Sequence, residues 1–229
     1  FSIKNILDAN CNTLIITIPN NPDGYIYDVE NIIMNCNYYR INLFIDLAYI
    51  VFLEQNNPTY NKLLDLINKY KNVVWSFSFS KTIKCSGLRI GYCLSNKKII
   101  SNITKIHNYI NNCANTIGQT LIYNYLCNDT YKLIINNHRT EIKEIKKYIL
   151  DNNLFIYNKN IIKHNIDNNI YFLYLKLDKK VNVKDLVEKL LKKGIGVVNG
   201  KDFENNANSI RICLARNNIY FDKLKVIDK

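Results

Sequence analysis

Short apolar runs alternate with amphipathic stretches along the first half of the chain. Thr13–Pro19 is apolar and enters Pro19-Asn20-Asn21-Pro22-Asp23-Gly24, so it reads as a buried strand running into a tight turn. Leu43–Tyr49, Asn72–Phe79 and Arg89–Leu94 read as further strands. Between them, helical spacing predicts one helix capped by Asp28 and running to about Tyr38, and another from about Thr59 to Tyr70. Helical patterns follow over Lys97–Tyr109 and Asn115–Cys127. Strands alternating with helices at these lengths predict an α/β unit with a largely parallel sheet.

The pattern then changes. From about Tyr131 to Asn152 it predicts one long, charged helix, ending at Asp151-Asn152-Asn153. Ile170–Leu177 alternates as a half-buried strand should. Val183, Leu186, Val187, Leu190 and Leu191 share a helical face, with Asn182 as a candidate cap and Gly194 as a stop. Two more strands fit Gly196–Val198 and Ile210–Ala215. This second grammar is α+β, and it places a domain boundary inside the long helix, with residues 1–135 on one side and 136–229 on the other.

Composition narrows the class. The 229 residues are 48% apolar, enough for a sizeable core, and no run of eighteen apolar residues exists, so no transmembrane helix is expected. The chain opens on Phe1-Ser2-Ile3-Lys4 without Met and without a signal-peptide layout, and is expected to begin within a longer protein. Its formal charge of +12 comes from lysines scattered through an Asn-, Ile- and Tyr-rich chain. The clusters Lys143-Lys146-Lys147 and Lys192-Lys193 fall on helical patterns and read as solvated faces, so neither nucleic-acid nor membrane binding is expected. Seven cysteines without a C-x-x-C pair suit buried free thiols in a reducing compartment, and three distant histidines give no metal site.

Two glycine and lysine motifs are set aside. Gly194-Ile195-Gly196 follows a helix instead of a strand, so it is no dinucleotide loop. Ser80-Lys81-Thr82 lacks the upstream glycines of a P-loop. What remains is an ordered set at or just beyond strand ends: Asn21, Asp46, Tyr49, Ser78, Ser80, Lys81 and Arg89. In open α/β sheets ligands bind outside the carboxyl ends of the strands. A lysine near an arginine can lose its proton and capture an aldehyde, an aspartate can pair with a protonated ring nitrogen, and serines with an arginine suit a phosphate. Those three features on one molecule describe pyridoxal phosphate.

Five segments carry a resemblance: Pro19-Asn-Asn-Pro-Asp-Gly24, Asp46-Leu-Ala-Tyr-Ile-Val-Phe52, Ser78-Phe-Ser-Lys81, Gly87-Leu-Arg-Ile-Gly-Tyr92 and Ser209-Ile-Arg-Ile-Cys-Leu-Ala215. In this order the chain resembles the fold-type I, pyridoxal-phosphate-dependent aminotransferases of class I/II, in their histidinol-phosphate aminotransferase flavour, truncated at the N-terminus. The resemblance implies an α/β fold: the C-terminal part of the large domain, with a mainly parallel sheet, then a small α+β domain. It implies that Lys81 forms a Schiff base with the cofactor and moves the substrate proton. Asp46 would hold the pyridine nitrogen protonated. Asn21 and Tyr49 would bond the phenolic oxygen, and Ser78, Ser80 and Arg89 the phosphate. Arg211, with Asn21, would bind the substrate carboxylate.

The sequence also departs from the family pattern. Asp23 stands where the family has Thr, and Leu47 where it has Glu. Thr82–Ser86 replaces a glycine-containing stretch, and Ala215-Arg216-Asn217-Asn218 lacks the Gly-Thr of the histidinol-phosphate enzymes. The expected activity is amino-group transfer between an amino acid, or amino-alcohol phosphate, and a 2-oxo acid, in a cytoplasmic homodimer. A decarboxylase similar to threonine-phosphate decarboxylase shares all these motifs and is the first alternative. An inactive fragment acting as a basic binding module is the second.

Overall fold

The computed structural model describes residues 3–53, 57–152, 159–168, 170–203 and 208–214. These fall into two compact units: residues 1–20 with 25–136, and residues 21–24 with 137–229. Among the described residues no helix is long and apolar enough to cross a membrane.

The first unit begins with α1 (Ile3–Asp8), β1 (Thr13–Thr17), α2 (Val29–Tyr38), β2 (Asn42–Asp46) and α3 (Pro58–Lys69). It continues with β3 (Val74–Ser78), α4 (Phe79–Thr82), β4 (Gly91–Leu94), α5 (Lys97–Asn111) and α6 (Thr116–Cys127), then the start of α7 (Thr130–Asp151). The sheet order is β1-β2-β3-β4, parallel across the first two pairs and antiparallel at the last. The helices start where short polar side chains satisfy free backbone N–H groups. Asp28 accepts from Asn31 N, Asn57 from Thr59 N, Asn96 from Ile99 N and Asn115 from Gly118 N. Pro58 opens α3, where its missing N–H costs nothing. The core gathers Ile18, Ile32, Ile33, Ile45, Leu63, Leu66 and Trp75, whose indole donates to Tyr70 O at 3.2 Å. Each such aliphatic side chain contributes about 1.5–3 kcal/mol on burial.

All four strands are shorter than their sequence pattern predicts, two of them for a visible local reason. The apolar run Leu43–Tyr49 stops pairing at Asp46, because Asp46 Oδ1 accepts from Ala48 N at 3.0 Å and turns the chain. The run from Arg89 pairs only from Gly91, because Arg89 sits in the left-handed region at φ 54° behind the 3-10 turn Ser86–Leu88. All seven cysteines are free, as expected, but the expected burial holds for Cys36 alone, while Cys11, Cys113 and Cys127 are exposed.

The second unit holds the rest of α7, then β5 (Ile161–His164), β6 (Phe172–Leu177), α8 (Val183–Lys192), β7 (Val198–Asn199) and β8 (Ser209–Cys213). Its sheet runs β5-β6-β8-β7 and is antiparallel throughout. Strand alternation sends Leu173, Leu175, Leu177, Ile210, Ile212 and Leu214 into one core with Ile145 and Ile149 of α7 and Val183 and Leu190 of α8. Asn182 caps α8 by accepting from Lys184 N and Asp185 N, and Gly194 ends it at φ 79°. The strand expected at Gly196–Val198 pairs only at Val198–Asn199. The four-residue β5 carries a bulge between Ile161 and Lys163, which breaks the period-two signal and hides it from the sequence pattern. Ala215 and the three residues after it lie outside the described residues, as does Asn153.

Gly200 meets β8 so closely that a Cβ would fall on Ser209 Oγ and 2.8 Å from Ser209 O, whereas nothing stands within 4 Å of a Cβ at Gly196. Gly200→Ala should therefore destabilise this unit by about 1–3 kcal/mol, read from urea midpoints. Gly196→Ala in the same assay should stay within about 0.5 kcal/mol. A second expectation concerns Lys146 on α7, which donates to Asn168 O. Burial lowers its amine to about 8, against an opposing pull from Asp167. Below that value both folded and unfolded chains hold the proton, and the cost of burying the charge is fully present. As pH rises from about 8 towards the ordinary lysine range the folded amine releases its proton first, so stability rises. Relative to Lys146→Met, the wild type should gain roughly 1–3 kcal/mol between about pH 7.5 and pH 10 in urea titrations.

Candidate active site

The first unit collects six of the sequence-derived residues at one edge of its sheet. Parallel pairing sets Thr17, Asp46 and Ser76 level across β1, β2 and β3, at the carboxyl ends of β1 and β2 and two residues before that of β3. Asp46 is the last residue of β2 and is half-buried. Its Oδ1 accepts from Ala48 N and, at 3.4 Å, from Ser76 Oγ. Among the described residues its Oδ2 receives no hydrogen bond. Tyr49 follows one turn later, buried, at the head of the 3-10 turn Ile50–Phe52.

β3 ends at Ser78, and the chain coils at once into α4. Ser78 Oγ accepts from Ser80 N at 3.2 Å, and Thr82 Oγ1 donates to Ser78 O at 3.0 Å, so this turn is closed at both ends. Ser80 and Lys81 are thereby held, half-buried, just past the strand end. Antiparallel pairing sets Gly91 opposite Ser78, which returns Arg89, two residues earlier, to the same edge. Arg89 is exposed and its Nη1 donates to Ser86 O at 3.0 Å. A cleft of about 220 Å³ lies in this unit and includes Tyr60, Phe77, Tyr92 and Tyr131 in its lining. Of the site residues only Ser78 reaches it. Burial there, with a smaller contribution from Tyr60, pushes the Tyr92 phenol up.

The other two residues, Asn21 and Arg211, belong to the second unit and touch each other. Arg211 Nη1 donates to Asn21 Oδ1 at 2.9 Å. The guanidinium carbon stands 4.1 Å from the Phe172 ring centroid and 4.8 Å from that of Phe203. Arg211 Nε is buried and, among the described residues, has no hydrogen-bond partner.

Residues 2–219 match the family model described as aminotransferase class I and II. The chain belongs to that family. A histidinol-phosphate aminotransferase of Caldanaerobacter subterraneus is 26% identical over 199 residues, covering 86% of this chain and 51% of that protein. Another, from Campylobacter jejuni subsp. doylei, is 29% identical over 202 residues, covering 87% of this chain and 52% of that protein. The chain thus spans about half the length of these curated relatives. Among solved structures, the histidinol-phosphate aminotransferase of Clostridium acetobutylicum superposes with a TM-score of 0.78 at 20% identity, covering 99% of this chain and 66% of that one. A decarboxylase from Sulfurospirillum multivorans gives 0.74 at 22% identity, with 99% and 64% covered. At such identities these likenesses establish the α/β fold of the aminotransferase family.

Sequence reasoning missed the residues of this family member that hold the site groups in place. Ser76 was within reach, since it shares the face of β3 with Ser78 by period two. Phe172 and Phe203 looked like ordinary apolar positions, and nothing in the pattern joins them to Arg211. The bond between Asn21 and Arg211 should appear as a coupling energy of roughly 1–3 kcal/mol in a double-mutant cycle of Asn21→Ala and Arg211→Met, measured by urea unfolding. Strictly additive effects would contradict the contact.

Proposed function

We propose that the protein is an aminotransferase that moves an amino group between an amino acid, or an amino-alcohol phosphate, and a 2-oxo acid with pyridoxal 5'-phosphate as its cofactor. The reading rests above all on Lys81 standing one turn beyond β3 at the same sheet edge as Asp46, in a chain of the aminotransferase family. The donor set suits that cofactor. Asp46 Oδ2 is open to a protonated ring nitrogen, Lys81 offers an amine, and Ser78, Ser80 and Arg89 offer hydroxyls and a cation to a phosphate. When bound, the cofactor supplies an aldehyde that captures amines and a ring that withdraws electrons.

The chain's own groups then divide the work. Asp46 would keep a proton on the ring nitrogen, and the Ser76 hydroxyl orients its carboxylate from the neighbouring strand. Tyr49 and Asn21 would each offer a donor to the cofactor's phenolic oxygen. With the cofactor bound, Lys81 would be the general base that takes the proton from the substrate α-carbon. Arg211 receives a carboxylate or phosphate through its planar fork, with Asn21 already seated on Nη1. In the reading offered here residues 1–135 form part of a large cofactor-binding domain and residues 136–229 a small one, and the enzyme works in the cytoplasm as a homodimer. The relatives' names make histidinol phosphate the first amino donor to try.

The test is the intact mass of the protein incubated with pyridoxal phosphate and reduced with borohydride, beside Lys81→Ala. One cofactor adduct, mapped to the Lys81 peptide and missing from the variant, is expected, with an oxo product and no carbon dioxide on adding an amino donor. Equal labelling of the variant would overturn the role of Lys81, and release of carbon dioxide would make the protein a decarboxylase.

A further inference from the structure

The sheet of the second unit has two unlike faces. Leu173, Leu175, Ile210 and Ile212 point into the core with α7 and α8. Alternation sends Phe172, Tyr174 and Arg211 to the opposite face, where Tyr174 lies across from Arg211 in the β6–β8 ladder. There the guanidinium is bounded by the Phe172 and Phe203 rings and by Asn21 Oδ1. Its direction is set only if those neighbours hold still. Asn21 sits on the four-residue loop Asn21–Gly24, which groups with this unit.

Asn165 joins the parts. It is 9% exposed, and its short amide makes three bonds. Oδ1 accepts from Tyr174 N at 2.6 Å, and Nδ2 donates to Asp23 O at 2.9 Å and to Phe172 O at 3.4 Å. The two ends of the amide therefore grip β6 at the residues flanking Leu173, and Nδ2 also grips the loop at Asp23, two residues from Asn21. Asn168 adds a second donor to Asp23 O at 2.6 Å. Gly24 presses against Ile170 so closely that a Cβ would come within 2.7 Å of its side chain.

We propose that Asn165 is a positioning residue for Arg211, tying the loop that carries Asn21 to the strand that carries Phe172 so that both meet the guanidinium at a fixed angle. The inference rests on the reading of Arg211 as the anion clamp. A pre-set guanidinium binds an anion without first losing its own rotational freedom. A small misplacement of such a group is felt strongly in binding. An aspartate at 165 keeps the shape and the bond from Tyr174 N, but turns an acceptor towards two carbonyl oxygens and releases the loop.

The test compares wild type, Asn165→Asp and Val187→Ala, a core truncation on α8 that touches none of these groups. Two readouts are used: solvent exchange of the Arg211 Nε proton by ¹⁵N NMR, assigned by its loss in Arg211→Lys, and the Kd of the cofactor-treated protein for glutarate, an unreactive dicarboxylate. Asn165→Asp should speed the exchange and weaken glutarate each by about tenfold, while Val187→Ala shifts either by less than about twofold despite lowering the urea midpoint. Similar changes in both variants would mean that Asn165 acts only through stability and would overturn the proposal. If Asn165→Asp fails to fold, Asn168→Ala, which removes one donor from Asp23 O, decides by the same readouts with a smaller expected change. If the wild type binds no glutarate, the anion-clamp reading of Arg211 falls, and the exchange measurement alone decides the positioning.

Discussion

Parallel pairing of β1, β2 and β3 forces three strand ends onto one edge of a sheet, and the first unit depends on that constraint. A parallel pair cannot be closed by a hairpin, so each strand must be followed by a crossover that covers the sheet. α2 and α3 serve as those crossovers, and they bury Ile32, Ile33, Leu63 and Leu66 against Ile45 and Trp75. Once the register is set, Asp46 and Ser76 have no choice but to stand level. The hydrogen bond between them is a consequence of sheet geometry, and it orients the carboxylate that the proposed chemistry needs.

The strand ends are then turned by side chains. Asp46 bends its own chain through Ala48 N, and Ser78 opens α4 through Ser80 N. A residue can thus end an element and still present a polar atom at the edge. Asp46 divides these tasks between its two oxygens. Ser78 closes the turn that carries Lys81, and β4, with Gly91 opposite Ser78, returns the chain from Arg89 to the same edge.

The second unit solves a different problem. Its antiparallel sheet needs a helical cover on only one face, which α7 and α8 provide. The opposite face is left to Phe172, Tyr174 and Arg211, and a half-buried guanidinium there needs partners that do not neutralise it. Aromatic rings and a neutral amide meet that need: they orient the charge and leave it able to attract an anion.

Much of the fold was legible in the sequence because its causes are local. Asp28, Asn57, Asn96, Asn115 and Asn182 cap helices through backbone groups two or three residues away, and apolar periodicity marked most strands. Asn21, Asp46, Lys81 and Arg211 could be singled out as candidates because each lies in a contiguous motif. The bulged β5 was hidden, as were the strand ends at Asp46 and Gly91, because a side-chain turn or a left-handed residue overrode apolar character there. Only the tertiary structure could join Arg211 to Asn21, 190 residues away, or Asn165 to Asp23, 142 residues away. Capping depends on neighbours along the chain, which the order of residues determines. A bond across such a span depends on sheet register and loop docking, which exist only after the chain has folded.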